Sequence, residues 1–356
     1  MAFADVKKLR EILESGIKNS SNVFIVGHNN PDFDSIGSSI GLARLVKEYN
    51  KDVYIIVDDL KLNLQSGIVT VMDSVKDDYK FIKRKDADKL VLKNSLLLVT
   101  DVNKRNMVSV GDMLDKFSNI VVIDHHTENE DSIITPYKFV DLSVSSASEV
   151  VTRILNSSKI KYDANVANAL LAGIELDTKR FRYNTSPKTH DAAEKLQING
   201  ANDDNISDLF LEEFDDFCRI SNLIVNGTLI YNYSATLGVS FTLNRNEPKE
   251  IYRVEDCAKS AVKMFSFKKI DAAFSLGYVS ENEIHISARG NGRVDVSKVM
   301  MELGGGGNAT CAGARVESQD IFEVEKKIMD SVKVGVDSNE KLYKTPKLIR
   351  KKQLKR

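Results

Sequence analysis

Cysteine is scarce: among 356 residues there are three, Cys218, Cys257 and Cys311, widely spaced and without a C-x-x-C pair. A disulfide framework and a cysteine-built zinc site are thereby set aside. No stretch approaches the roughly 18 consecutive apolar residues that a membrane-spanning helix needs. The segment Met1 to Ser15 mixes Asp, Lys, Arg and Glu where a leader would be apolar, so a cytoplasmic location is expected, with no membrane contact from the chain itself. An excess of either charge is missing too. Fifty Lys and Arg against 51 Asp and Glu give a formal charge of -1, which does not suit a basic glove for long nucleic acid. A hydrophobic share of 42% and a charged share of 28% exclude a disordered or collagen-like chain. Histidine is nearly as rare as cysteine, at five, and three of the five fall in two short segments rich in aspartate.

What is present reads as two domains, the number expected at about 100–200 residues each. The first half alternates short β-branched runs with longer helical stretches, the pattern of a parallel sheet wrapped by helices. Strands are expected at Asn22–Val26, Asp52–Val57, Ser95–Thr100 and Asn119–Ile123, and helices at Ser35–Tyr49, Ser148–Leu155 and Ala164–Leu176. From Thr189 to about Asn226 the chain turns helical and acidic, which suits a connecting arm. Beyond it, expected strands at Thr228–Tyr233, Ala235–Thr242, Asp271–Tyr278 and Glu283–Arg289, with helices near Val254–Met264, before a glycine run and from about Asp320, describe a second α/β lobe. The resulting division is an α/β domain at 1–198, a helical connector at 199–227, a smaller α/β domain at 228–338 and a basic tail at 339–356. The tail carries eight Lys or Arg from 341 onward and no acid. We read it as a solvated terminus in preference to a nucleic-acid contact.

The chemistry lies where strands end. Gly27-His28-Asn29-Asn30-Pro31-Asp32-Phe33-Asp34-Ser35 follows one expected strand and precedes a helix, at the carboxyl edge of the sheet where α/β proteins place their sites. Asp101 ends a second strand, Asp124, His125 and His126 end a third, and Asp177 closes an apolar helix at the end where the dipole disfavours a carboxylate. His28, Asp32, Asp34, Asp101, His125 and Asp177 together form an oxygen-rich set that suits Mn²⁺ or Mg²⁺ better than zinc or iron–sulfur chemistry. Two ions about 3.5–4 Å apart, sharing a carboxylate and a water, would use the whole set, and such a pair serves phosphoester hydrolysis. Each acid taken singly has an ordinary explanation: Asp34, just before Ser35, is placed to cap the following helix. Four rim segments of matching chemistry outweigh that explanation.

HNNPDFDSIG, the strand-end Asp101, the triplet Asp124-His125-His126 and LLAGIELDTKRF together resemble the DHH phosphoesterase superfamily over nearly the whole chain. The resemblance implies one metal held by His28, Asp32 and Asp101, and a second by Asp34, Asp101, His125 and Asp177, with Asp101 as the bridge. It makes Asp124 an orienting group and His126 a donor or proton carrier at the phosphate, so that Asp101, Asp124, His125 and His126 are the catalytic candidates. HISARGNGRVDVSKVMMELGGGGNATCAGARV is similar to the DHH-associated domain that recognises the second half of the substrate. There Ser287 and Arg289 are candidate anion ligands, and Gly304, Gly305, Gly306 and Gly307 would let backbone N–H groups approach a phosphate or nucleobase, although a glycine run alone is more often a mobile turn. Asn308 stands where the family places a histidine; it keeps hydrogen-bonding capacity but cannot become cationic.

Within the superfamily, SSASEVVTRIL, LLAGIELDTKRFRYNTSPKTHDAA and the four glycines look most like the catalytic part of bacterial cyclic-di-AMP phosphodiesterases. Those enzymes usually carry membrane helices, a PAS-type sensor and a degenerate cyclase-like domain ahead of this unit; both a catalytic piece and a standalone version fit the sequence. The resemblance implies a homodimer with two Mn²⁺ (alternatively Mg²⁺) that opens cyclic di-AMP to pApA with a metal-bridging hydroxide as nucleophile. The alternative is a hydrolase of nano-RNA, pApA and pAp that releases AMP, so the expected partner is a cyclic dinucleotide or a short oligonucleotide. From another class, a nucleotide sensor without turnover would be expected to have lost at least one ligand, and none is lost.

Overall fold

The computed structural model describes residues 5–57, 64–225, 228–231, 238–243, 250–337 and 347–349. The chain forms two compact units, residues 1–211 and 212–356. The first runs α1 (Val6–Asn19), β1 (Val23–Val26), α2 (Phe33–Lys47), β2 (Val53–Ile56), α3 (Ser66–Val75), β3 (Lys80–Ile82), α4 (Arg84–Leu90), β4 (Leu96–Thr100), β5 (Asn119–Asp124), β6 (Tyr137–Val140), α5 (Ala147–Ser157), α6 (Ala164–Asp177), α7 (Pro187–Ile198) and α8 (Asp203–Leu209). Its six strands make one sheet of order β3-β2-β1-β4-β5-β6 with every pair parallel.

The strands are near-continuous apolar runs because the sheet is buried on both faces. Val23 and Ile25 of β1 point into a large core shared with α1, α2, α5 and α6, while Phe24 and Val26 point into a second core with Leu97, Val99, Val122 and Phe117. The order of strands reverses between β1 and β4, and ligands of open α/β sheets bind outside the carboxyl ends of the strands at such a switch point. The strands expected at 22–26, 52–57, 95–100 and 119–123 are β1, β2, β4 and β5. Two were not anticipated: β3 and β6 are the edges of the sheet, have three and four residues and are only partly buried, so no apolar run marks them.

The second unit contains α9 (Phe214–Val225), β7 (Thr228–Tyr231), β8 (Gly238–Thr242), α10 (Val254–Phe265), β9 (Ala272–Tyr278), β10 (Glu283–Gly290), α11 (Val296–Met301), β11 (Gly306–Asn308), β12 (Cys311–Glu317), α12 (Ile321–Asp337) and β13 (Lys347–Ile349). A mixed seven-stranded sheet of order β11-β12-β10-β9-β8-β7-β13 runs through it. Ile284, Ile286, Phe274 and Leu276 on one face pack with Val296, Met300, Val324 and Ile328 into its core. The acidic helical stretch divides between the units, α7 and α8 with the first and α9 with the second. Part of the glycine run is itself a strand, β11. The tail read as solvated contributes β13, paired antiparallel to β7. Its remaining residues, and the parts of expected elements at 226–227 and 232–237, lie outside the described residues.

Candidate metal centre

The loop after β1 is shaped by its own carboxylates. Asp32 Oδ1 accepts hydrogen bonds from the backbone N–H groups of Asp34 (2.9 Å) and Ser35 (3.0 Å), so Asp32, not Asp34, caps α2. Asp34 sits instead in the first helical turn, fully buried, and accepts from the N–H groups of Ala147 and Ser148, each at 2.7 Å. Those donors are the open amino end of α5, where backbone N–H groups lack helical partners and the dipole favours an anion. Gly173 of α6 makes the approach possible, since a Cβ there would meet Ser148 Oγ at 2.4 Å and Asp34 Cα at 2.9 Å.

Asp101 follows β4 in the left-handed region, with φ of +60°, held by its N–H on the Ile123 carbonyl at 2.9 Å. Its two oxygens face different groups. Oδ2 lies 3.4 Å from His28 Nε2, which is 3.6 Å from Asp32 Oδ2. Oδ1 lies 3.3 Å from His125 Nε2, which is 3.1 Å from Asp177 Oδ2 and 3.7 Å from Asp34 Oδ2. The donor atoms of His28, Asp32 and Asp101, and those of Asp34, Asp101, His125 and Asp177, each fall within 4.8 Å of one another. All six residues expected to ligate metal therefore come together, with Asp101 common to both sets.

The electrostatics are those of a site suited to cations. Burial pushes Asp34 well above the ordinary carboxylate range, with the charges of Asp101 and Asp177 adding to it; burial likewise raises Asp177. Burial opposes protonation of the imidazoles, but their carboxylate neighbours prevail: His28 rises to about 10 and His125 to about 11. Burial would also raise Asp101, yet His125 and His28 together hold it down at about 2. Asp101 Oδ1 and His125 Nε2 are buried without a hydrogen-bond partner, a state that is destabilising unless a further group satisfies them. A divalent cation answers each feature: it neutralises three neighbouring carboxylates, accepts imidazole nitrogen and occupies the orphaned atoms.

Asp124 does something different. Its Oδ1 accepts from the His125 N–H (2.8 Å) and faces His126 Nδ1 (2.8 Å), while Oδ2 accepts from Asn103 Nδ2 (2.6 Å). Both oxygens are taken by N–H groups, which makes it an orienting carboxylate although its atoms lie near those of Asp101, His125 and His126. With Nδ1–H on Asp124, the His126 ring presents Nε2 outward, and the hydrogen bond to Asp124 raises its pKa. Asn103, which also donates to the His126 carbonyl at 2.9 Å, was not anticipated; no sequence pattern distinguishes it from a loop asparagine.

In the second unit the sheet register gathers the expected substrate residues. Ser287 is opposite Gly313, itself opposite Gly306; Arg289 is opposite Cys311, itself opposite Asn308. The two pairs thus lie in adjacent rows on one face, about 10 Å apart across two strand spacings. The glycines differ in purpose. A Cβ on Gly305 or Gly307 would collide with the β12 backbone, at 2.2 Å from the Gly313 carbonyl and 2.4 Å from that of Cys311, whereas Gly304 and Gly306 face open space. Asn308 Oδ1 accepts from Thr310 N, Thr310 Oγ1 and Cys311 N at 2.8–3.0 Å, so it ties the β11–β12 hairpin and keeps only its amide nitrogen for another partner.

Residues 22–174 match the DHH family, N-terminal domain, and residues 253–333 match the DHHA1 domain, so the chain contains both domains. Among particular relatives, it is 30% identical over 327 residues to the cyclic-di-AMP phosphodiesterase GdpP of Bacillus subtilis, an alignment covering 90% of this chain and 49% of GdpP. It is 26% identical over 339 residues to the bifunctional oligoribonuclease and PAP phosphatase NrnA of Mycoplasma genitalium, covering 90% of this chain and 95% of that protein. The chain spans about half the length of GdpP. The crystal structure of an exopolyphosphatase-related protein from Bacteroides fragilis shares the fold, with a TM-score of 0.74 at 20% identity over 93% of this chain and 97% of that one. Among the described residues no helix is long and apolar enough to cross a membrane.

Proposed function

We propose that the chain is a metal-dependent phosphodiesterase that hydrolyses cyclic di-AMP to pApA. The observation that carries this reading is Asp101, whose two buried oxygens face two separate sets of metal-ligating groups. On it, His28, Asp32 and Asp101 would hold one divalent ion and Asp34, Asp101, His125 and Asp177 a second, with Mn²⁺ the expected metal. Such a pair lowers the pKa of water and stabilises the charge that develops on a phosphoryl group. The protein's own groups do the rest. Asp124 fixes the His126 ring and favours its protonated form, so Nε2–H is placed to donate to the phosphate and to give its proton to the 3′ oxygen as the P–O3′ bond breaks. Ser287, Arg289 and the open backbone at Gly304 and Gly306 hold the remainder of the nucleotide.

Asn308 favours a second reading, cleavage of pApA, pAp or short RNA to AMP. Its neutral side chain, largely spent on the hairpin, offers a distal phosphate less than a cationic group would. Chromatography of products from cyclic di-AMP, pApA and pAp, each incubated with the protein and Mn²⁺, tests both. Conversion of cyclic di-AMP to pApA as the fastest reaction supports the leading reading; faster release of AMP from a linear substrate replaces it with the second.

A further inference from the structure

Beside the metal centre, the first unit contains a cavity of about 470 Å³ lined by His126 and Asp177 on one side and by Ser143, Ser145, Asn184 and Thr185 elsewhere. Its size lies in the range of about 300–1,000 Å³ usual for small-molecule sites. No Lys or Arg lines it, so beyond the imidazoles of the metal centre it offers no counter-charge to a second phosphate, and no Phe, Tyr or Trp lines it, so the only rings open to a base are those same imidazoles of His125 and His126. Away from the imidazoles and Asp177 it presents the hydroxyls and amide of Ser143, Ser145, Asn184 and Thr185 beside the apolar Leu142 and Val144, and a sugar, with hydroxyls on its edge and carbons in its ring, is the part of a nucleotide that matches them.

The hydrogen bonds already made inside the walls sharpen the match. The Ser143 hydroxyl donates to Asp141 Oδ1 (2.6 Å), which leaves its exposed oxygen able to accept, while the buried Ser145 hydroxyl donates to Glu149 Oε2 (2.8 Å). The side chains of Asn184 and Thr185, both exposed, make no hydrogen bond among the described residues. An acceptor, an amide and a hydroxyl with free capacity suit the edge of a ribose, where the 2′-hydroxyl can donate and accept and the esterified 3′ oxygen accepts. One buried carboxylate sets both walls: Glu149 Oε2 also accepts from Ser145 N (3.0 Å) and Thr189 Oγ1 (2.8 Å). Thr189 closes the capping box with Ser186, the residue after Thr185. Glu149 is 0% exposed, so the spacing of the walls is fixed from within the core.

We propose that this cavity is a ribose subsite in which Asn184 and Thr185 read the sugar hydroxyls and make the enzyme select ribonucleotide over deoxyribonucleotide substrates. It rests on the phosphodiesterase reading above. A site built to bond a substrate hydroxyl discriminates strongly against the analogue lacking it, because its polar groups are then left unpaired.

The test compares cyclic di-AMP with its 2′-deoxy counterpart, by kcat/KM in Mn²⁺ and by calorimetric Kd with Ca²⁺ in its place, for the wild type, Asn184→Ala and Thr185→Val. The wild type is expected to favour the ribonucleotide by about tenfold or more in kcat/KM and to bind it more tightly, and each variant to lose most of that preference. Equal handling of the two dinucleotides by the wild type overturns the proposal, as does an undiminished preference in both variants. Bis(p-nitrophenyl) phosphate, which has no sugar, is run with the wild type alongside. Its failure to be hydrolysed in Mn²⁺ counts against the phosphodiesterase reading itself, which separates the two failures.

Discussion

Asp101 holds a left-handed backbone conformation, φ +60°, which disfavours a non-glycine residue by about 1–2 kcal/mol, and it does so at the one position facing both donor sets. Strain retained at a site of this kind is a mark of function. Replacing Asp101 with Asn keeps the shape and removes the charge; on the two-metal reading turnover falls by roughly a thousandfold, about 4 kcal/mol, while the circular dichroism spectrum is unchanged. Near-normal turnover would remove the shared carboxylate from the mechanism. The imidazoles carry a second prediction. His28 at about 10 and His125 at about 11 are protonated at neutral pH in the metal-free protein, so binding Mn²⁺ expels their protons and affinity rises with pH between about 6 and 9. Because both values are raised on folding, the stability they confer on the metal-free protein is full below about 6.5 and is lost as pH climbs through the raised values. Calorimetry of Mn²⁺ binding in buffers of different ionisation enthalpy reads the proton release, and finding none would contradict it.

Helices and strands carry the site because their ends are open. The amino end of α5 grips Asp34 through Ala147 and Ser148, and α6 passes close enough only because residue 173 is glycine. Gly173→Ala is expected to destabilise the fold by about 1–3 kcal/mol through overpacking and to weaken Mn²⁺ binding by displacing Asp34, both measurable by thermal melts with and without metal. In the second unit Gly306→Ala meets nothing, so it should leave the melting temperature unchanged and raise KM for the dinucleotide if that backbone faces substrate; an unchanged KM would remove Gly306 from the site. The sequence made β1, β2, β4 and β5 legible, since a strand buried on both faces is an unbroken apolar run, and it made the six candidate ligands legible because they fall where strands end and where helices begin or end. The edge strands β3 and β6 have no such run. The support around the ligands was hidden as well: Asn103 and the Asp34 grip on α5 depend on contacts between segments far apart in sequence, such as Asp34 with Ser148. The cap of α2 was misassigned between two aspartates two residues apart, and geometry alone separates Asp32 from Asp34.

At the scale of the molecule there are two units with separate cores, and every group expected to ligate metal lies in the first. Binding to the folded state stabilises what it binds, so calorimetric unfolding with added Mn²⁺ is expected to shift a transition belonging to the first unit upward and leave one belonging to the second in place. Equal shifts of both would show that the units unfold together. The account as a whole depends on the first unit holding a pair of ions around Asp101. Crystals grown with Mn²⁺ and measured at the manganese absorption edge test that directly. The prediction is two anomalous peaks about 3.5–4 Å apart, one beside His28 and Asp32, the other beside Asp34, His125 and Asp177, with Asp101 between them. A single peak, or peaks that do not share Asp101, would contradict it.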